Sequence, residues 1–311
     1  MRTLLKSALL PLVALWLLQP LSASAWTWDN NCEGGTVGAL VSSASLTGFT
    51  SPFSLTKYSN AQAATGSESC QLGITAGSDG WGYWGGTITF PSIINSGGQV
   101  WARVSLFVPA GFNTTTNTGV LKFMRIHTAT SANANVGYHD YAIANNGTVQ
   151  YNAAGKALVS PGYIYGYEGI PNLMAVGTQS ANGIAYGKWE TYEMYVKFDA
   201  VAKAAGGTGE VRLWKNNQLL LDMVSQGTLV SSTDHSDAFF LFTYWNGNAP
   251  ATQNAYVDDI IVSTDTPANK DASGNPCLCA PTPGGASTSP PTGGGGTTTA
   301  TPDPPSNVSV Q

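Results

Sequence analysis

The sequence predicts an all-β fold in which two antiparallel sheets pack face to face as a sandwich. Three observations predict it. Only 10% of the 311 residues are charged, while 36 Gly and a large aromatic set of 9 Trp, 13 Tyr and 10 Phe are present. An average globular domain is roughly 25% charged; short strands and tight turns account for the difference. Secondly, no long stretch repeats its apolar residues every 3.6 positions, whereas several alternate with period two. Thirdly, turn signals such as Asn145-Asn146-Gly147, Gly206-Gly207 and Asn216-Asn217 separate those stretches. A β-jelly roll is the most economical way to pack so many short strands. Disorder, a coiled coil and a collagen-like helix are excluded by the same composition.

Taken in order, the chain opens with Arg2 and Lys6, an apolar run from Ala8 to Leu18, and an Ala23-Ser24-Ala25 cleavage site before Trp26. This is the pattern of a signal peptide over residues 1–25. The run is broken by Pro11 and is shorter than the roughly 20 apolar residues of a membrane span. A secreted, extracellular protein with no membrane partner is therefore expected. Removal of Arg2 and Lys6 makes the chain more acidic than its full-length charge of −5, which argues against nucleic acid as a partner. Cys32, Cys70, Cys277 and Cys279 form an even set, and an oxidising compartment makes disulfides of such sets. Cys277 and Cys279 stand close in sequence, so each is expected to reach back to Cys32 or Cys70; a four-thiolate metal site is the alternative. From Ala280 the composition turns to Pro, Gly, Thr and Ser, giving a linker over residues 281–303. Residues 304–311 resemble the first strand of a fibronectin type III module. One jelly-roll domain over residues 26–280 remains, expected as a monomer with further modules C-terminal to it.

Within that domain the candidate strands are residues 99–109, 120–127, 138–144, 189–199, 210–215, 238–245 and 255–263. Alternation assigns one set of each to the core. Val100, Ala102, Val104, Leu106 and Val108 point inward, leaving Trp101, Arg103, Ser105 and Phe107 outward. Met124 and Ile126 point inward against Phe123, Arg125 and His127. Tyr192, Met194, Val196 and Phe198 are set against Trp189, Thr191, Glu193, Tyr195 and Lys197, and Val211 and Leu213 against Arg212 and Trp214. Tyr244 and Asn246 share one face of the next strand. Flat rings and fixed polar groups of this kind suit a polysaccharide groove. The structural alternative is an aromatic sheet face covered by loops. Arg103, Arg125, Lys197 and Arg212 all fall in outward sets, which suits an acidic polysaccharide, since a guanidinium matches a uronate carboxylate. Surface ion pairs with Glu193 or aspartates are the alternative use of those cations.

The chemistry follows from which groups are available. A glycoside hydrolase needs two carboxylates flanking the bond, roughly 5 to 9.5 Å apart, and Glu190 and Glu193 have opposite parity; convergence of Glu193 with Asp140 would be needed. β-Elimination needs a neutraliser for the uronate carboxylate, a base for the proton alpha to it, and an acid for the leaving oxygen. Arg125-Ile126-His127 places a neutraliser and a base on one face, with Arg103 and Asn246 as further carboxylate binders and Tyr244 as the acid. Trp101, Tyr195 and Trp214 would be sugar platforms, with Tyr141, Glu193, Lys197 and Arg212 beside them. His139 either shares the proton transfer or is bonded to Asp140, and His235 is placed in a polar, solvated loop. No cofactor is required.

Residues 99–112, 122–127, 189–197 and 256–262 resemble the concanavalin A-like jelly-roll polysaccharide lyases, the group that contains alginate lyases and glucuronan lyases. The resemblance covers most of residues 72–263. It implies β-elimination on a uronate polymer, with Arg103 answering to the group's Arg, His127 to the His of its Gln-Ile-His strand, and residues 240–246 to its Tyr-bearing strand. Arg125 stands where the alginate lyases have Gln, and the last strand lacks their Lys. Val257-Asp258-Asp259-Ile260 resembles the terminal strand of these folds, implying a structural calcium held by Asp258 and Asp259 with Glu33. The alternatives to a lyase are a non-catalytic carbohydrate-binding domain and a glycoside hydrolase of the same fold.

Overall fold

The structure is a computed structural model that describes residues 25–41, 55–80, 84–116, 120–144, 150–151, 157–158, 163–168, 174–176, 184–225 and 227–280. The proposed signal peptide, apart from Ala25, lies outside the described residues, as do the linker and residues 304–311. No helix among the described residues is long and apolar enough to cross a membrane.

The described strands are β1 (Thr27–Asn30), β2 (Lys57–Ser59), β3 (Ser69–Ile74), β4 (Gly86–Asn95), β5 (Gln99–Phe107), β6 (Val120–Ala129), β7 (Asn135–Ala144), β8 (Gln150–Tyr151), β9 (Ala157–Leu158), β10 (Tyr163–Glu168), β11 (Met174–Val176), β12 (Trp189–Lys197), β13 (Glu210–Lys215), β14 (Gln218–Met223), β15 (His235–Leu241) and β16 (Gln253–Ser263). They build an eight-stranded sheet in the order β14-β13-β12-β5-β16-β3-β2, with β1 also on β16, a six-stranded sheet in the order β11-β10-β7-β6-β15-β4, and a separate β8-β9 pair. The paired strands run antiparallel, so the two-sheet sandwich expected from the alternation is the fold.

The two inner faces supply the core. Val100, Ala102, Val104 and Leu106 of β5 and Met194 and Val196 of β12 belong to the same buried cluster as Met124 and Ile126 of β6 and Phe239 and Leu241 of β15. Each fully buried side chain of this size contributes about 1.5–3 kcal/mol. One end is closed by rings: Trp84 lies 4.7 Å from Phe242 and 5.0 Å from Trp245, centroid to centroid. The chain enters β4 through Gly85, whose φ is +62°; a Cβ there would run into the carbonyls of Leu241 and Phe242. A bulge in β6 changes one assignment. The register slips between Lys122 and Met124, so Phe123 joins the core against Phe242 and Tyr192 instead of standing outward beside Arg125.

Part of the outer face of the eight-stranded sheet is covered, while Phe107, Trp189 and Tyr256 of that face pack on one another and stay half-buried. Residues 264–279 run back over β5, β12 and β13 as a strap. Trp101 Nε1 donates to the Pro276 carbonyl (3.3 Å), Arg103 Nη1 to the Leu278 carbonyl (2.9 Å) and Trp214 Nε1 to Asp271 Oδ2 (2.8 Å). Leu278 N–H donates to Glu193 Oε1 (2.7 Å), so both main-chain groups of that residue are held. Trp101, Tyr195, Trp214, Cys277 and Cys279 form a second buried cluster beneath the strap. This placement corrects the expected disulfides. Cys277 bonds Cys279, with Cα atoms 5.1 Å apart, and Cys32 bonds Cys70 at 5.5 Å. Cys32 and Cys70 lie in the core between the sheets while Cys277 and Cys279 lie on the far side of one sheet, so no cross-pairing can form. All four thiols are consumed, which removes the thiolate metal site.

Glu193 sits across from Arg103 in the β5–β12 pair. Burial raises its carboxyl to about 8, against the opposing influence of the Leu278 N–H and Arg103. It is protonated in the folded protein at a pH where the unfolded chain has released the proton. Unfolding therefore loses a proton between about pH 4.5 and 8, and stability falls as pH rises across that window. Glu193→Gln keeps an acceptor for Leu278 and cannot ionise. Denaturant unfolding at pH 5 and pH 8 is expected to show a smaller loss of stability in the variant than in the parent; an equal loss would place the ionisation elsewhere.

Candidate active site

With part of one outer face under the strap, the outer face of the six-stranded sheet is where the chemistry-bearing side chains meet. Three adjacent strands bring them together. In the β6–β7 pair His127 stands opposite Tyr138 and Arg125 opposite Asp140. On the other side of β6, Phe240 of β15 stands opposite Arg125. Tyr138 is the centre of the cluster, its ring 5.0 Å from His127 and 5.4 Å from Phe240.

A second bulge delivers the carboxylate. Simple alternation in His235–Leu241 would send Asp237 inward with Phe239, where an unpaired charge is costly. The register slips between Ser236 and Ala238 against both neighbouring strands, and the carboxylate reaches the outer face instead, a re-aiming that bulges commonly perform. Asp237 Oδ1 lies 2.5 Å from His127 Nδ1. A carboxylate only accepts, so Nδ1 carries the hydrogen and Nε2 is the nitrogen at which a proton can be exchanged. Nε2 lies 2.9 Å from Oδ1 of Asn135, at the start of β7. The ring is partly shielded, with 14% of its side-chain surface accessible.

Beside this pair, Arg125 is buried and held. Its Nε donates to Asp140 Oδ1 at 2.5 Å, and its guanidinium carbon lies 3.6 Å from the Tyr138 ring centroid. Asp140 thus balances the charge that the sequence assigns to a substrate carboxylate. Lys122, outward because of the Phe123 bulge, has its ammonium 4.9 Å from the Tyr244 ring centroid. With roughly 3.3 Å per residue along a strand, Lys122 and the Tyr244 beneath it stand more than about 10 Å from His127. Tyr244 is therefore displaced from the base it was expected to serve, and the ring beside His127 is Tyr138. Asn246 lies further along the chain, its buried Oδ1 without a hydrogen-bond partner, and does not join His127 either.

The remaining sequence candidates are placed elsewhere. Arg103, Trp101, Glu193, Tyr195, Arg212 and Trp214 belong to the sheet face under the strap, on the opposite side of the sandwich from His127. Trp101 and Trp214 are 2% and 1% exposed, so they are not open sugar platforms. Arg212 pairs with Glu210 and Asp222 and stacks on Tyr195. Lys197 ends β12 on that same sheet. Glu193 and Asp140 stand on opposite outer faces, so the carboxylate pair of a hydrolase does not form from them. His139 and Tyr141 point into the sandwich: His139 Nε2 donates to the Thr228 carbonyl at 2.8 Å, its ring lies 6.0 Å from Phe198, and burial lowers it to about 3. Ile143 shares their parity, and that aliphatic residue was the available signal that Tyr138 and Asp140 are the outward pair. His235 begins β15 and is buried rather than solvated.

The carboxylates expected to hold calcium are engaged by the loop at residues 64–68. Glu33 accepts from the N–H groups of Ser67 (2.7 Å) and Glu68 (2.8 Å), which hold its carboxyl below the usual range. Asp258 accepts from those of Ala64 and Thr65, and Asp259 from the Thr65 hydroxyl. Among the described residues no three or more His, Cys, Asp or Glu side chains gather as metal ligands.

No protein-family model matches the chain, and no curated protein matches it. Solved structures do. The alginate lyase Aly36B is 12% identical, with 76% of this chain and 96% of that chain covered at a TM-score of 0.51. The cellulose induced protein Cip1 is 12% identical over 76% of this chain and 97% of its own, with a TM-score of 0.49. An endo-beta-1,4-glucuronan lyase from the fungus Trichoderma reesei is 10% identical over 68% and 87%, with a TM-score of 0.45. The likeness to Aly36B establishes the fold as the jelly roll of that lyase.

The buried Arg125–Asp140 pair has a measurable consequence. Removing one partner of such a pair leaves an uncompensated buried charge, which typically costs about 3–5 kcal/mol. Asp140→Ala is expected to lose stability in that range by denaturant unfolding, and Asp140→Asn, which keeps an acceptor for Nε, to lose less. A loss below about 1 kcal/mol in the alanine variant would show that Arg125 is satisfied without Asp140.

Proposed function

We propose that the protein is a secreted polysaccharide lyase that cleaves a uronate-containing polymer by β-elimination. The observation that carries the reading is the His127–Asp237 pair beside Tyr138 on the outer face of the six-stranded sheet. Asp237 holds the imidazole with its hydrogen on Nδ1, so the Nε2 lone pair is the base. In the reaction Nε2 takes the proton from the carbon alpha to the carboxylate. The electron pair of that C–H bond becomes the new carbon–carbon double bond as the bond to the glycosidic oxygen breaks, and Tyr138 returns a proton to the leaving oxygen. Phe240 and Tyr244 offer apolar surface to sugar rings, and Lys122 brings positive charge to the same face for a neighbouring uronate. Arg125 is the cation nearest the base, with its charge shared with Asp140. The chemistry needs no cofactor. The jelly-roll fold that the chain shares with Aly36B supports the reading.

One observation favours a second reading. Because Asp140 already balances Arg125, the face suits binding of a weakly charged glycan, and the domain would then be a carbohydrate-binding module. The two readings separate in one assay. β-Elimination creates a double bond conjugated to the uronate carboxylate, so ultraviolet absorbance rises during incubation with the right polymer. On a panel of alginate, glucuronan and other polyuronates, one polymer is expected to give a rise that His127→Ala reduces by at least about 100-fold, the scale of a lost general base, with polymer binding retained. Binding without absorbance across the panel would favour the binding module.

A further inference from the structure

The partner of His127 Nε2 is an amide. Asp237 fixes the hydrogen of the ring on Nδ1 in both of its protonation states, so Nε2 alternates between a lone pair and an N–H. Asn135 stands 2.9 Å from Nε2 with its oxygen forward, which satisfies the protonated ring. The neutral ring requires the amide NH2 in that place. A half-turn about the last side-chain bond exchanges the oxygen and nitrogen of an asparagine with almost no change of shape. Asn135 is placed for that turn. It is exposed and follows a tight turn in which Thr130 N–H donates to the Ala134 carbonyl and Asn133 N–H to the Thr130 carbonyl, each at 2.8 Å. Its backbone is pinned while its amide faces solvent and the imidazole.

We propose that Asn135 is a positioning residue whose amide turns over with the protonation state of His127. It presents its NH2 to the neutral ring, swings aside when a substrate carbon needs the lone pair, and presents its oxygen once Nε2 carries the proton. Neither state of the base is then left with an unsatisfied nitrogen at a partly buried position, where such a loss is costly. The other groups facing the ring are Asp237 and Phe240 from β15 and Tyr138 from β7, with Arg125 and Asp140 beyond Tyr138. Asn135 is the group whose side chain lies within hydrogen-bond distance of Nε2. The kinetic part of the proposal rests on the lyase reading; the amide turnover itself does not.

The test is a pH titration of the full chain by NMR with nitrogen-15 in the His127 ring and the Asn135 side chain, without substrate. The Asn135 NH2 signals are expected to titrate with the same midpoint as His127, because the NH2 meets Nε2 only in the neutral state. An amide that serves both states favours neither, so Asn135→Leu is expected to leave the His127 midpoint within about 0.3 pH unit of the parent's. Asn135→Asp, which can only accept, is expected to raise it by one unit or more, a tenfold gain in proton affinity. If the NH2 signals stay fixed and Asn135→Leu lowers the midpoint by a unit, the amide is locked with its oxygen forward and the proposal is overturned. If the parent cleaves a polyuronate, Asn135→Leu is further expected to lower kcat about tenfold with KM unchanged. An absence of cleavage in the parent would overturn the lyase reading and leave the titration result standing.

Discussion

Successive side chains of a strand point to opposite sides of its sheet, and in a two-layer sandwich that constraint leaves each strand one set for the core and one for an outer face. The rest of the molecule follows from it. The inner sets of β5, β6, β12 and β15 are aliphatic or aromatic and fill one core. The outer set of β5, β12 and β13 mixes large rings with charged groups, and residues 264–279 lie across it, bonded to Trp101, Arg103, Glu193 and Trp214. The outer set of β6, β7 and β15 keeps its polar groups together and holds the candidate active site. The constraint is relaxed wherever the register slips, and two of those bulges bear on the site. One turns Phe123 inward and Lys122 outward; the other releases Asp237 from a position among Phe239 and Leu241 and sets it against His127.

The same constraint explains what could be read in the sequence. The core sets of β5, β12 and β13 were legible, because a strict alternation of aliphatic residues fixes the parity of a whole strand. What alternation does not encode is which sheet a strand joins. Arg103 and Arg125 have equally good outward parity, yet they occupy opposite sides of the sandwich, since β5 pairs with β12 and β16 while β6 pairs with β7 and β15. The aromatic groove read from Trp101, Tyr195 and Trp214 was a real apolar surface, covered by a segment that begins about 50 residues beyond the nearest of them. Asp237 and Phe123 were hidden by bulges, which pattern reading treats as errors of phase. Tyr138 and Asp140 were within reach, because Ile143 fixes the parity of β7.

A chain with few charges places them carefully. Glu33, Asp258 and Asp259 fasten the loop at residues 64–68, and Asp271 holds the turn of the strap through Ser273, Asn275 and Trp214. Arg103 and Glu193 hold the C=O and the N–H of Leu278. Most of these groups bond the main chain of loops, which is the commonest use of a polar side chain inside a protein. The scarcity of charge in the sequence is therefore a sign of structural employment, and cations counted toward an acidic ligand were counted too freely.

Against that background the surroundings of His127 stand apart. Other polar side chains serve the main chain or pair as ions, as Arg212 does with Glu210 and Asp222; here a carboxylate, an imidazole and an amide bond one another in a row, across three elements and beside an aromatic ring. Such a row contributes little to a sandwich already held by its core and its strap. Its members differ in proton affinity and in what they donate or accept, and Asp237 reaches the row only because β15 departs from regular pairing. A local irregularity that places an acid against a histidine on an outer face is a structural cost with no packing return in the core. That imbalance is the physical reason for assigning the chemistry to this face and not to the larger aromatic surface on the other side.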